Sequence, residues 1–139
     1  DAAYVKLDGL TNESLGTSYA RLININGTSN NVITLDNCTL NGYQNPTRPV
    51  NSNDFNEYTL IYLSNEWLSS GGYANNSFDS LIIENCELNY GSNIVHMYQT
   101  QGGFTGSSNF IYRNNNAQDY MWHGIKTENI NGGDISNNV

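Results

Sequence analysis

His96, His123 and Lys126 are the residues whose chemistry first suggests a reactive site in this sequence. Histidine titrates near neutral pH and can act as a general base, while a lysine ammonium can neutralise a carboxylate. His96 and Lys126 fall in successive copies of one short apolar segment, so stacking of the copies would place them side by side. We therefore predict His96 and Lys126 as a catalytic pair. His123 falls on the apolar side of the alternation and is predicted to be a packed core residue.

Aromatic and amide side chains occupy the same alternating positions as His96. If the Ile and Leu residues of each copy face a core, the alternate residues face outward along neighbouring strands. Aromatic rings can stack on sugar faces, and amides can bind sugar hydroxyls. The predicted ligand-binding residues are Tyr62, Tyr98, Trp122 and Asn24. A purely structural face stays open, because aromatic residues also suit strands and a one-residue slip would exchange inward and outward roles.

An internal repeat would position these residues. Residues 32–41 align with residues 80–89, and residues 109–118 form a weaker copy. A second kind of strand lies between them, in the segments 22–26, 60–64, 94–98 and 122–126. Each copy is too short to bury its own apolar face, whereas stacked copies share one core. The sequence therefore predicts an all-β, right-handed parallel β-helix of about four to five coils over residues 1–139, with loop insertions at 42–57 and 66–77.

One position of the repeat is always Asn or Gly. It is Gly9 in the first copy and then Asn37, Asn85, Asn114 and Asn137, at separations of 28, 48, 29 and 23 residues. Both residue types enter the left-handed backbone conformation readily, and a sharp bend between strands needs that conformation. Stacked Asn amides can also hydrogen-bond to one another. We predict a buried structural ladder at this position.

Cys38 and Cys86 directly follow the ladder position and are expected to point inward. Adjacent coils would place their Cα atoms about 4.8 Å apart, which is within disulfide range. However, the side chains of in-register parallel neighbours point the same way, and this keeps the Cβ atoms farther apart than a disulfide prefers. Stacked free thiols are the favoured prediction, while the redox compartment stays open.

The repeated apolar-x-apolar-x-Asn pattern resembles the pectate-lyase superfamily. The stretches ITLDNCTLNGY and LIIENCELNYG look like its bacterial branch related to chondroitinase B and alginate lyases, and also like β-helix modules of Bacteroidetes surface lipoproteins. The resemblance implies a polysaccharide lying along the stacked outer faces of one strand type. In the lyases, Ca²⁺ or basic groups neutralise a uronate carboxylate, and a Lys, Arg or His removes the C5 proton. The resemblance covers most of the chain but rests on fold-forming residues.

The charge balance excludes several classes of partner. The chain has a net charge of −8 and only five Lys and Arg residues, whereas a nucleic-acid binder needs a basic face. No apolar run approaches the roughly 18 residues that a membrane span requires. The two Cys residues have no nearby His, which makes a poor metal site. We expect no cofactor, although the resemblance leaves room for Ca²⁺. Asp36, Glu84 and Arg113 are expected to form an outward charge column.

Three functions stay open. The main expectation is a polysaccharide-binding module that is secreted or displayed on a bacterial surface. A polysaccharide lyase acting on a uronate polymer by β-elimination is one alternative, and a structural spacer or adhesin stalk is the other. Neither end of the chain shows the capping segment that a solenoid end needs, so the chain is expected to be part of a longer β-helix.

Overall fold

The protein is all-β in the part of the chain that the computed structural model describes, which is residues 4–15, 21–25, 32–44, 58–64, 67–68, 72–73, 78–98, 109–127 and 130–139. None of these residues forms a helix long and apolar enough to cross a membrane. The strands are β1 (Tyr4–Asp8), β2 (Thr11–Glu13), β3 (Ile23–Ile25), β4 (Val32–Asp36), β5 (Thr39–Asn41), β6 (Ile61–Ser64), β7 (Trp67–Leu68), β8 (Gly72–Tyr73), β9 (Ser80–Glu84), β10 (Glu87–Tyr98), β11 (Phe110–Arg113), β12 (Asn116–Lys126) and β13 (Gly133–Ser136).

The first sheet has the strand order β1-β4-β9-β11-β13, and all of its strands are parallel. Equivalent residues form straight columns across it. One column contains Leu7, Leu35, Ile83, Tyr112 and Ile135, whose numbers differ by 28, 48, 29 and 23. The repeat spacing predicted from the sequence is therefore confirmed, including the long second step.

The second sheet contains two stacked strand segments in each repeat. The first part of β10 pairs with β5, which in turn pairs with β2. The last part of β10 pairs with β6, which in turn pairs with β3. Both parts of β10 pair with β12. Between the two parts, the chain bends at Tyr90 in β10 and at Asp119 in β12, with φ angles of 61° and 55°. Each repeat therefore runs through three strand segments, one in the first sheet and two in the second.

The predicted loop insertion at 42–57 lies at the corner of the second sheet, between β5 and β6, and the one at 66–77 lies between β6 and β9. The insertion at 42–57 begins at Gly42, whose N–H donates to the carbonyl of Asn89 at 2.8 Å. The rings of Tyr43 and Tyr58 lie 5.6 Å apart at its base, while residues 45–57 lie outside the described residues. In the insertion at 66–77, β7 and β8 form an antiparallel pair, and the remaining positions are likewise not described.

The core lies between the two sheets. It consists of the side chains that point inward at alternate positions of each strand. Its fully buried members include Leu35, Leu81, Leu88 and Val95, each 0% exposed. Burying such a side chain stabilises the fold by about 1.5–3 kcal/mol. Because the strands are short and stacked, each repeat contributes only a few of these residues and depends on its neighbours for a continuous core.

The Asn ladder adopts the predicted backbone conformation, but its side chains are not buried. Asn37, Asn85, Asn114 and Asn137 have φ angles of 53°, 56°, 55° and 54°, and Gly9 has 67°. The four Asn residues are exposed, so the prediction of a buried ladder is wrong. A residue in this bend turns its side chain away from the core, and the next residue turns inward.

The buried ladder is the next position along the chain. Asn115 is 1% exposed, and its Oδ1 accepts a hydrogen bond from the backbone N–H of Cys86 at 2.9 Å, while its Nδ2 donates to the carbonyl of Ile83 at 2.9 Å. One repeat later, Asn138 bonds in the same way to the N–H of Asn115 at 3.0 Å and the carbonyl of Tyr112 at 2.9 Å. Each amide thus satisfies two backbone groups of the previous repeat at its bend.

Cys86 makes the corresponding contacts with its thiol. Its Sγ accepts from the backbone N–H of Cys38 at 3.4 Å. Its one hydrogen points toward two carbonyls, that of Glu84 at 3.1 Å and that of Leu35 in the previous repeat at 3.7 Å. Cys38 donates to the carbonyl of Leu7 at 3.5 Å. Both cysteines are buried free thiols, as predicted. Burial raises the pKa of Cys86 to about 12, which keeps the thiol protonated as a donor.

The outer face of the first sheet carries the expected charge column. Arg113 Nη2 lies 2.7 Å from Glu84 Oε2, and Lys6 Nζ lies 3.0 Å from Asp8 Oδ2 and 3.1 Å from Asp36 Oδ2. These exposed pairs contribute little stability. They do reduce the repulsion between carboxylates that the stacking brings together.

Replacing Asn115 with Ala should destabilise the fold by about 2–4 kcal/mol, because two buried backbone groups lose their partner. Asn116→Ala is the matched control, since its amide bonds to two exposed side chains, donating to Glu87 at 3.0 Å and accepting from Gln118 at 2.8 Å. Its loss should cost less than about 1 kcal/mol. Urea unfolding of both variants measures the difference. Equal losses for the two variants would contradict the role assigned to Asn115.

Candidate functional site

One column of the second sheet brings together most of the predicted site residues. Asn24 pairs in register with Tyr62, Tyr62 with His96, and His96 with Lys126. The predicted neighbourhood of His96 and Lys126 is therefore confirmed. It arises because β3, β6, β10 and β12 are parallel and stacked without a shift at these positions.

Tyr62 and His96 are not exposed, so the prediction of a fully outward, accessible face is wrong for them. Tyr62 is 5% exposed and His96 is 2% exposed. Their rings meet edge to face, with centroids 5.6 Å apart and an interplanar angle of 70°. Arg21 covers the other side of Tyr62, with its Cζ 3.9 Å from the ring centroid. Large side chains on adjacent strands thus cover one another at strand spacing.

Trp122 is exposed, but it lies outside the predicted row. The pairing of Val95 with Ile125 shifts the last copy of the repeat by two residues from the sequence alignment. One residue of this shift comes from an irregularity opposite Gly91 and Asn93, which inserts one extra residue into β12. The other is already present before it, where Gly91 pairs with Tyr120. Trp122 is 42% exposed, and its ring meets that of His123 edge to face at 5.5 Å.

The two remaining predicted ligand-binding residues are Asn24 and Tyr98, and the structure describes the side chain of Asn24 but not that of Tyr98. Asn24 is exposed and is the β3 end of the column. Its neighbour in register, Tyr62, is buried. Tyr98 pairs in register with Ser64 at the end of β10, and its side chain lies outside the described part of the chain.

The prediction of His123 as a packed core residue is wrong, because its side chain is only partly buried and its surroundings are polar. Its Nδ1 lies 3.1 Å from Oδ1 of Asn93, which is 1% exposed. The Nδ2 of Asn93 donates to Oγ1 of the fully buried Thr59 at 3.2 Å. His123 itself is half-buried. Sequence reasoning missed this column because it aligned His123 with Val95 and not with Asn93.

Four basic side chains converge at this column. The pKa of His96 is lowered from 6.5 to about 4, chiefly by burial and then by the charges of Lys126, His123 and Arg21, in that order. Arg21 was missed by sequence reasoning because it stands in a connecting segment. The sequence feature that could have identified Arg21 is its position directly before the strand copy at 22–26.

The column lies in a region of strand that carries no carboxylates. The strand residues 23–25, 61–64, 94–98 and 122–126 contain no Asp or Glu, although the chain has a net charge of −8. The other two described Lys and Arg residues, Lys6 and Arg113, are paired with carboxylates on the first sheet. The four strand segments 23–25, 61–64, 94–98 and 122–126 are therefore free of acidic residues, whereas Glu13, Glu87 and Asp119 lie elsewhere on the second sheet.

No three His, Cys, Asp or Glu side chains come together as metal ligands among the residues described. The absence of a cofactor stays a prediction. No family model matches the chain, and neither the comparison with curated proteins nor that with solved structures finds a match. The chemical case for the site therefore comes from its own residues.

Acidification should destabilise the protein through His96. Its pKa is about 4 in the folded state and 6.5 ordinarily, so the unfolded state binds the proton first. The stabilisation is present above pH 6.5 and is lost as the pH falls toward 4, by up to about 3 kcal/mol. Denaturant unfolding across this range measures the effect.

His96→Phe is the variant that tests this assignment, because it keeps a ring against Tyr62 and removes the titration. It should flatten most of the pH dependence between 6.5 and about 4. The carboxylates of Asp8 and Asp36 have pKa values lowered below 3.8 by their bonds to Lys6 and to Asn side chains, so their contribution is lost only at lower pH. An unchanged slope in His96→Phe would rule out the assignment.

Proposed function

We propose that the chain forms successive coils of a right-handed parallel β-helix. The support is that each repeat contributes three strand segments, and each segment pairs in parallel with its equivalents in neighbouring repeats. A chain that repeatedly returns to the same parallel sheet does so with right-handed connections in nearly all proteins. A stack of this kind presents long, straight columns of side chains, which suit an extended ligand.

We infer that the second sheet binds an acidic polysaccharide outside the bacterial cell or on its surface. The observation that carries this proposal is the convergence of Arg21, His96, His123 and Lys126 on strand segments without carboxylates, in a chain of net charge −8. Local positive potential attracts an anionic ligand even where the total charge of a protein is negative. Guanidinium and ammonium groups are suitable donors to sugar carboxylates.

The exposed groups beside the basic cluster suit a sugar. Trp122 presents 42% of its surface next to His123, and an indole ring can stack on the apolar face of a pyranose. Asn24 is exposed at the other end of the column and can bind hydroxyls with both its donor and its acceptor. Lys126 is at the β12 end of the column, on the same strand as Trp122. The binding surface proposed here is Arg21, Asn24, Trp122, His123 and Lys126.

A structural spacer is the second candidate, and the burial of Tyr62 and His96 favours it. Aromatic side chains that are 5% and 2% exposed contribute to packing whether or not a ligand is bound. A polysaccharide lyase is the catalytic form of the first proposal. The pairing of His96 with Lys126 supports it, but a base with a pKa of about 4 is a weak proton acceptor at neutral pH.

Affinity electrophoresis in gels containing acidic polysaccharides tests the proposal, with neutral polysaccharides as the comparison. The acidic polymers should retard the protein, and added salt should release it. Arg21→Gln and Lys126→Gln should each weaken binding about ten-fold, which corresponds to about 1.4 kcal/mol. Arg113→Gln removes a cation from the first sheet and should leave binding unchanged.

Three results discriminate among the candidates. Equal retardation of all four proteins, or none in any gel, would reject the proposed surface and favour the spacer. Ultraviolet-absorbing unsaturated products from a uronate polymer would identify a lyase. Loss of those products in Lys126→Gln but not in Arg113→Gln would locate the reaction at this column.

A further inference from the structure

A line of hydrogen bonds runs from the interior to the half-exposed part of the second sheet. It joins Thr59, Asn93 and His123. Thr59 and Asn93 are 0% and 1% exposed. The Nδ2 of Asn93 lies 3.2 Å from Thr59 Oγ1, and its Oδ1 lies 3.1 Å from His123 Nδ1. Two buried polar side chains therefore hold one edge of the imidazole.

The Asn93 amide, in the orientation it has in the structure, assigns the hydrogen of His123 to Nδ1. The NH₂ end of the amide donates to Thr59, so the oxygen end faces the imidazole. An amide oxygen can only accept a hydrogen bond, and Nδ1 of His123 must therefore carry the hydrogen. In a neutral ring the lone pair is then on Nε2.

The one-residue irregularity in β12 is a β-bulge, and it determines which histidine can reach a ligand. It lies between the pairings of Gly91 with Tyr120 and of Asn93 with His123. Bulges of this kind change the direction of a side chain and are common beside functional sites. His123 is half-buried and its ring meets that of the exposed Trp122, whereas His96 is 2% exposed.

We infer that His123, held by Asn93 and Thr59 in the Nδ1–H tautomer, is the hydrogen-bond acceptor of the binding surface and that its Nε2 receives a hydroxyl of the bound sugar. Asn93 and Thr59 are positioning residues that act through the ring. This inference rests on the proposed function, since it names the part of the ligand that the site recognises. Lys126 supplies a donor beside the acceptor on His123. A sugar with a hydroxyl next to an anionic group matches this pair, because the hydroxyl donates to Nε2 and the anionic group accepts from Lys126.

The protonation state of His123 agrees with this role. Burial lowers its pKa from 6.5, and the charge of Lys126 lowers it further. The ring therefore stays neutral at neutral pH and keeps its lone pair. A protonated ring would offer donors at both nitrogens and could no longer accept the hydroxyl.

The tautomer can be measured on the ligand-free protein by two-bond ¹H–¹⁵N NMR correlation of the histidine rings. His123 should show a protonated Nδ1 and an unprotonated Nε2. Thr59→Val removes the acceptor that orients the amide while keeping the shape, and Asn93→Leu removes the amide; both should shift His123 toward the Nε2–H form. An Nε2–H ring in the unmodified protein overturns the inference, as does a tautomer that neither variant changes.

Binding to an acidic polysaccharide tests the role of the lone pair. His123→Phe should weaken binding about ten-fold, and His123→Gln should recover part of the loss because its amide oxygen can accept. Arg113→Gln is the control that should bind normally. If Arg21→Gln weakens binding and His123→Phe does not, the acceptor role is wrong while the proposed function stands. If no polysaccharide binds, the ligand role fails with the proposed function, and the tautomer assignment is judged by NMR alone.

Discussion

The interaction on which the rest of the structure depends is the hydrogen bonding of one inward side chain to the bend of the preceding repeat. Asn115 and Asn138 each satisfy a backbone N–H and a carbonyl there, and Cys86 does so with a thiol. A buried bend would otherwise leave polar backbone groups unsatisfied. The side chain that solves this problem also fixes the register, because it must stand directly beside the bend it serves.

The register in turn determines where charge collects. Residues at one repeat position become neighbours across strands, so the acidic residues of the first sheet stack with Lys6 and Arg113. The second sheet collects Arg21, His96 and Lys126 in the same way. Stacking thus gives a strongly acidic chain a column of mixed charge on the first sheet and a group of basic side chains on the second, which is the proposed site for an anionic polymer.

The sequence predicted the properties that depend on local pattern. The repeat steps and the left-handed bends at Asn37 and its equivalents follow from alternation and residue type. Alternation also placed His96 and Lys126 on neighbouring strands, but their direct pairing needs the one-residue bulge in β12. Burial of Tyr62 was not predictable in this way, since it depends on Arg21, which lies in a connecting segment. The displaced position of Trp122 depends on a one-residue bulge, which leaves no sign in hydrophobic alternation. The fold was therefore more predictable than the site.

The most direct test of the account is a map of backbone amide NMR shifts on titration with an acidic oligosaccharide. The central claim is that stacking assembles one basic binding surface on the second sheet. The account predicts that perturbations concentrate at Arg21, Asn24, Trp122, His123 and Lys126, while the first sheet around Lys6 and Arg113 stays unchanged. Perturbations centred on the first sheet, or none at saturating oligosaccharide, would contradict it.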